Sequence, residues 1–221
     1  MESILEKLAY CVEFGKVNKD APYPPDMKGQ DGADELTKQA LEQGIGAEQI
    51  LKNALVTGMD IVGKKFTEKK IFIPQMLMSA KAMNAAIEHL KPFFNSGEVK
   101  RKGKFIIATV QGDLHDIGKN LVKMAIEGAG WEVIDLGVDV KADKIIEVLK
   151  ENPEALIGLS ALLTTTMQNM QLIVETLKAA YPKNKIIVGG APVNDDFCKK
   201  IGADYYAPDP HGAVSYLNKI A

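Results

Sequence analysis

Three short segments hold the residues with the most chemical content. The first, Gly112-Asp113-Leu114-His115-Asp116-Ile117-Gly118, presents one imidazole between two carboxylates. A neutral imidazole is a good ligand for cobalt or zinc. A carboxylate on its other ring nitrogen fixes the tautomer and raises the ligand's basicity. Gly118 removes a side chain about one turn past the histidine and lets something bulky come close. An Asp-rich helix cap with an incidental histidine carries the same residues, and no second His or Cys stands at zinc-ligand spacing. The second segment, Ser160-Ala161-Leu162-Leu163-Thr164-Thr165-Thr166, gathers four hydroxyls where a helix begins. One N-cap needs one hydroxyl, so the surplus points to a polar ligand. In the third, Gly189-Gly190-Ala191-Pro192, paired glycines admit a ligand or a neighbouring backbone, as they also do in an ordinary strand-to-helix turn.

Each segment follows a short apolar run. Phe105–Val110, Glu132–Leu136, Ala155–Ser160 and Lys185–Val188 read as buried strands, and Asp204–Tyr206 as a weaker fifth. Helical patterns fill the gaps, at roughly 116–129, 141–151, 165–180, 192–201 and 210–220. Strands alternating with helices predict a doubly wound, flavodoxin-like (Rossmann-like) parallel sheet over residues 104–221. Ligands bind such sheets at the carboxyl ends of the strands, where the three segments lie.

Residues 1–92 contain no convincing strand. Apolar residues at helical spacing run through Ile4–Val12, Leu36–Ile45, Ile50–Phe66 and Met76–Leu90, which predicts a four-helix bundle. Pro74 suits the first turn of the last helix. The stretch Asn18–Gly32, with three prolines and two glycines, reads as a loop between the first two helices. Residues 93–103 read as a linker.

Composition narrows the function. Of 221 residues, 46% are hydrophobic and 25% charged, which suits an ordinary globular chain rather than a disordered one. Lys and Arg number 27 against 29 Asp and Glu, so no basic excess draws the chain to nucleic acid. Aromatics, at 6%, are too few for a base-stacking platform. Cys11 and Cys198 are expected to be free thiols in a reducing cytosol. The amphipathic, acidic start is unlike a signal peptide, and no apolar run approaches a membrane span, so a cytoplasmic protein is expected. No Gly-x-Gly-x-x-Gly or Walker sequence marks a dinucleotide or ATP site.

The combination Asp113-x-His115-x-x-Gly118, Ser160-x-Leu162 and Gly189-Gly190, each after its own strand, resembles the cobalamin-binding domain of methionine synthase and of corrinoid proteins. Gly58-Met59-Asp60-x-x-Gly63-x-x-Phe66, followed by Phe72-Ile73-Pro74-Gln75, is similar to the helical cap of the same proteins. The resemblance runs from about Leu36 to the C-terminus. It implies a cobalamin or related corrinoid, with His115 as the lower axial ligand of cobalt. Asp113 would accept a hydrogen bond from the other ring nitrogen, and Thr166 would continue that relay where methionine synthase has a serine. Gly118, Gly189 and Gly190 would line a slot for the cofactor's benzimidazole tail. Ser160 and Thr164 would hydrogen-bond that base, and Leu162 would pack on it. The rest of the His-bearing turn, Gly112, Leu114, Asp116 and Ile117, belongs to the same binding set. Phe72 and Met76 are candidates for covering the methyl-bearing face, with bundle core as the simpler reading of each.

A cap and a corrinoid domain without substrate domains resembles the corrinoid protein of three-component methyltransferase systems. That implies a methyl carrier rather than a complete enzyme. One methyltransferase would load it from methanol, a methylamine, a methoxylated aromatic or a betaine. A second would pass the methyl group to tetrahydrofolate or a thiol, and a reductive activase is compatible with the scheme. The linker at 93–103 would act as a hinge. A cobalamin-based sensor is the alternative, although such proteins usually add a DNA-binding helix-turn-helix. The loop at 18–32 is longer than the resemblance leads one to expect.

Overall fold

A computed structural model describes residues 2–220. The chain divides into two compact units, the first running to Arg101 and the second beginning at Lys102, with Gly128–Gly130 assigned to the first.

The first unit is helical. Helix α1 (Ile4–Phe14) opens on a capping box in which Ser3 and Glu6 satisfy each other's backbone N–H groups. Helix α2 (Ala33–Glu42) follows the proline-rich loop. The apolar stripe read as one helix is one helical run in three parts: α3 (Ala47–Ile50), a widened π turn over Leu51–Val56, and α4 (Thr57–Thr67). A wide turn keeps the apolar face inward while shifting its phase, so periodicity alone does not separate it from a regular helix. Leu8, Val12, Ile50, Leu55, Val62, Met83 and Leu90 form the buried interior. Gly58 brings α4 close to α1, because a Cβ there would stand 2.8 Å from the Ala9 carbonyl oxygen.

Helix α5 (Ile73–Asn95) carries Pro74 in its first turn, as expected, and passes through Pro92. It therefore continues three residues into the segment read as linker. Beyond it, the Arg101 guanidinium sits 4.4 Å from the centre of the Phe94 ring. The proline-rich loop is packed rather than free. It contains a single 3-10 turn, Pro25–Met27, and Pro24 and Met27 are buried. The wholly buried Lys16 reaches into it, its Nζ donating to the Ala21 carbonyl at 2.9 Å.

The second unit is a parallel sheet of five strands among the described residues: β1 (Lys104–Thr109), β2 (Glu132–Asp135), β3 (Leu156–Ser160), β4 (Ile186–Gly189) and β5 (Tyr205–Tyr206). Their order is β2-β1-β3-β4-β5. Helices α6 (Ile117–Gly128), α7 (Ala142–Glu151), α8 (Met167–Ala180), α9 (Asp195–Lys200) and α10 (Pro210–Ile220) link or follow them. Side chains alternate across the strands. Ile106, Ala108, Ile157, Leu159, Ile186 and Val188 pack with Ile145, Leu149, Met170, Val174 and Leu177 of α7 and α8. Each fully buried Ile or Leu of this kind stabilises by roughly 1.5–3 kcal/mol relative to exposure. This order reverses direction between β1 and β3, and the crevice at such a switch point is where doubly wound sheets bind ligands.

Candidate functional site

Beyond the carboxyl end of β1 the chain turns through Gly112, whose φ of +81° suits glycine. Residues 113–116 then run without regular structure into α6. Asp113 is fully buried, and donors from the turns after β1 and β3 converge on its carboxylate. Its Oδ1 accepts the His115 backbone N–H at 3.1 Å and lies 2.7 Å from His115 Nδ1. Its Oδ2 accepts N–H groups from Leu162 at 2.7 Å and Leu163 at 3.3 Å, in the segment after β3. The Thr166 hydroxyl stands 2.8 Å from the same oxygen and 2.9 Å from the Leu163 carbonyl. Its one proton can serve only one of them, and the carboxylate is the stronger acceptor. Burial pushes the Asp113 carboxyl up, but the bonds from Leu162, His115 and Thr166 outweigh it and hold the group well below the usual carboxylate range. Asp113 is therefore an anchored anion that ties the turn after β1 to the turn after β3.

That anchorage orients His115. With Nδ1 on Asp113 and its backbone carbonyl accepting the buried Thr109 hydroxyl at 2.9 Å, the ring is held on one edge. The side chain is 51% exposed, so the Nε2 edge faces outward. Asp116 plays a different part from the one its place beside the histidine suggested. Its carboxylate accepts from the Asn120 side-chain amide at 3.0 Å in the first turn of α6. Leu114 and Ile117 flank the imidazole at 73% and 67% exposure, a large apolar surface to leave in water.

Beneath this turn, between the sheet and helices α6 and α10, lies a cavity of about 320 Å³. Gly118, Ser160, Gly189 and Gly190 all line it, together with Phe105, Ile107, Leu121 and Lys119. Gly190 has φ +121°, and a Cβ there would stand 1.8 Å from the Ala161 carbonyl oxygen, so no other residue fits. Leu162 and Thr164 are exposed and do not line the cavity. Leu162 contributes a backbone N–H to Asp113, where a packing side chain was expected. Phe72 and Met76 belong to the helical unit, the first exposed and the second buried.

Sequence reasoning missed three parts of this site. Lys119, 2% exposed, donates to both oxygens of Asp135 at 2.7 Å. It stands seven residues before the buried Ile126, so the helical period could have flagged it. Asp139, in the loop after β2, accepts the Gly112 N–H at 2.7 Å. Nothing in the sequence near Asp139 signals that bond. The Thr109 hydroxyl on the His115 carbonyl was equally hidden, since Thr109 reads as an ordinary strand residue.

One oriented imidazole with an outward edge can donate one ligand to a metal. No group of three His, Cys, Asp or Glu side chains among the described residues could hold a metal by itself. The donor set therefore fits a metal that brings its other ligands in a macrocycle, with apolar rims for Leu114 and Ile117 and a tail for the glycine-lined cavity. A five-stranded 2-1-3-4-5 sheet with this site at its switch point defines a corrinoid-binding α/β domain.

The comparisons agree. The B12 binding domain family matches residues 103–214, and a second B12 binding domain family matches residues 30–91. Trimethylamine corrinoid protein 1 of Methanosarcina acetivorans is 38% identical over 85% of this chain and 89% of its own length. Dimethylamine corrinoid protein 1 of Methanosarcina mazei is 40% identical over 84% and 86%. The methanol:cobalamin methyltransferase complex MtaBC of Methanosarcina barkeri contains a chain 29% identical, with a TM-score of 0.81, covering 98% of this chain and 79% of that one. The chain belongs to the corrinoid proteins of methyltransferase systems, and its cofactor is a cobalamin or related corrinoid. No helix among the described residues is long and apolar enough to cross a membrane.

Proposed function

We propose that His115 is the lower axial ligand of the corrinoid cobalt and that the protein carries a methyl group between two methyltransferases. The observation that carries this reading is the Asp113–His115 pair: Nδ1 held at 2.7 Å on a buried carboxylate, with the opposite ring edge exposed. When bound, the corrinoid supplies a cobalt that accepts and releases a methyl group. The chain's residues orient and tune. Asp113 fixes the tautomer that leaves Nε2 as the free lone pair, and Thr166 holds Asp113 in turn. Gly118, Ser160, Gly189 and Gly190, which line the cavity, would receive the nucleotide tail. Leu162, Thr164, Gly112, Leu114, Asp116 and Ile117 form its approaches. The roles that the resemblance gives to Phe72 and Met76 at the methyl-bearing face, to residues 93–103 as a hinge and to a reductive activase are parts of the same proposal.

For the donor we propose a methylamine or methanol, the compounds in the names of the relatives, and for the acceptor tetrahydrofolate or a thiol. The test uses the reduced, cobalamin-loaded protein, mixed in turn with purified methyltransferases specific for methylamines and for methanol, each with its donor. Methylation, read from the visible spectrum, is expected with one class of methyltransferase. No methylation with any of them would contradict the donor assignment.

A further inference from the structure

The His-bearing turn has little regular structure of its own, yet its imidazole must keep one direction. The end of β2 and the loop after it fasten this turn at both ends. Downstream, Asp135 receives the buried Lys119 ammonium on both oxygens and the Lys123 ammonium at 3.3 Å, and so holds the first turns of α6. The Gly137 N–H caps the same carboxylate at 2.9 Å. Upstream, residues 137–140 bond along residues 109–113 almost rung by rung. Thr109 N–H donates to the Gly137 carbonyl at 3.0 Å, and Val140 N–H donates to the Thr109 carbonyl at 3.0 Å. Asp139 closes the ladder with two reciprocal bonds: its N–H donates to the Asp113 carbonyl at 3.0 Å, and its Oδ1 accepts the Gly112 N–H at 2.7 Å.

Asp139 makes these bonds with φ at +55°, in the left-handed region. Only Lys69 joins it there among the described non-glycine residues. Asp and Asn are the side-chain-bearing residues best suited to that region, and a glycine would enter it without strain. A carboxylate kept where glycine would be easier is one whose side chain is needed. We propose that Asp139 is a positioning residue for His115: it fixes the Gly112–Asp113 backbone from which the Asp113–His115 pair projects, and so sets how firmly the imidazole engages the corrinoid. This rests on the reading of His115 as axial ligand.

Three variants separate the side chain from the backbone. Asp139→Asn keeps both an acceptor oxygen and tolerance of positive φ. Asp139→Gly keeps the backbone freedom and loses the acceptor. Asp139→Ala loses both. Each full-length protein, made with heavy-nitrogen-labelled histidine, is loaded with cobalamin, reduced to the cobalt(II) state and examined by electron paramagnetic resonance. The nitrogen splitting from labelled histidine reports the fraction of sites with a protein imidazole on cobalt. Wild type and Asp139→Asn are expected to show it fully. Asp139→Gly and Asp139→Ala should bind the same molar amount of cobalamin, with the histidine-bound to histidine-free ratio reduced about tenfold, the lower end of the usual effect of losing a group behind a metal ligand. A wild-type ratio in Asp139→Gly would overturn the proposal, whatever Asp139→Ala does. Cobalamin bound to wild type with no labelled-histidine splitting would overturn the reading of His115, and the proposal with it.

Discussion

At the residue scale, Asp113 is the side chain on which the site turns. Removing its charge leaves the donors of Leu162, Leu163, Thr166 and His115 facing an amide that offers one acceptor atom. Asp113→Asn should therefore lower stability at neutral pH by at least about 2 kcal/mol, since each buried unsatisfied group costs roughly 1–3 kcal/mol. The pH dependence follows from the direction of its shift. A carboxyl held below its unfolded value binds fewer protons folded than unfolded, so it contributes stability that is complete above about pH 4–5 and disappears as pH falls toward its folded value. Denaturant titrations between pH 6 and 3, roughly spanning that window, should show wild type losing more stability than Asp113→Asn. Equal slopes would mean that the carboxylate is not held as the geometry describes. Asp113, His115 and Gly118 were singled out through the resemblance of the three segments taken together, because alone the turn reads equally as an Asp-rich helix cap. Which of the two flanking carboxylates meets the imidazole was not legible from residue type alone; the resemblance named Asp113, and Asp113 Oδ1 lies 2.7 Å from His115 Nδ1. Asp113 and Asp116 are equivalent on paper, and only the course of the turn sends one to His115 and the other to Asn120.

At the element scale, two glycines of the site have different physical reasons and should respond differently to substitution. Gly190 joins β4 to the next turn at φ +121°, with the Ala161 carbonyl 1.8 Å from where a Cβ would stand. Gly190→Ala forces that turn away from Ala161 and should cost about 3 kcal/mol or more, read from chemical denaturation. Gly118 lies in the first turn of α6 with nothing within 4 Å of its missing Cβ, while lining the cavity. Gly118→Leu should leave stability unchanged or raise it by up to about 1 kcal/mol through better helix propensity. It should weaken cobalamin binding by at least about tenfold, measured by equilibrium titration, because the leucine occupies the cavity mouth. Undiminished binding would show that the tail does not pass this point. The strands and helices of the second unit were readable to within two or three residues, because continuous apolar runs and amphipathic stripes alternate there. The π turn at Leu51–Val56 and the continuation of α5 to Asn95 were not readable, since the apolar face stays inward through the wide turn and residues 93–103 read as a mostly polar linker.

At the scale of the whole molecule, a helical unit and an α/β unit share one chain, and both match B12 binding families. The period of the apolar residues changes after residue 103, and the two units meet at Arg101 and Lys102. The sequence did not expose how the long 18–32 loop is held, because Lys16 in a polar stretch reads as a solvated side chain, whereas its ammonium is buried on the Ala21 carbonyl. Lys16→Ala should remove that tether and a buried aliphatic stem. It should cost about 2–4 kcal/mol and open the loop at 18–32 to proteases, with cobalamin binding by the other unit retained. Fragments mapped by mass spectrometry would check this, and an unchanged cleavage pattern would show that the loop is secured by Pro24 and Met27 instead.

The central claim is that His115 supplies a nitrogen to the corrinoid cobalt. Visible absorption spectra of wild type and His115→Ala, each titrated with hydroxocobalamin, test it most directly. The account predicts equimolar binding by wild type with a spectral shift that His115→Ala lacks, while the variant still binds through its intact cavity, more weakly by about 10–100-fold. The same shift in both proteins would contradict it.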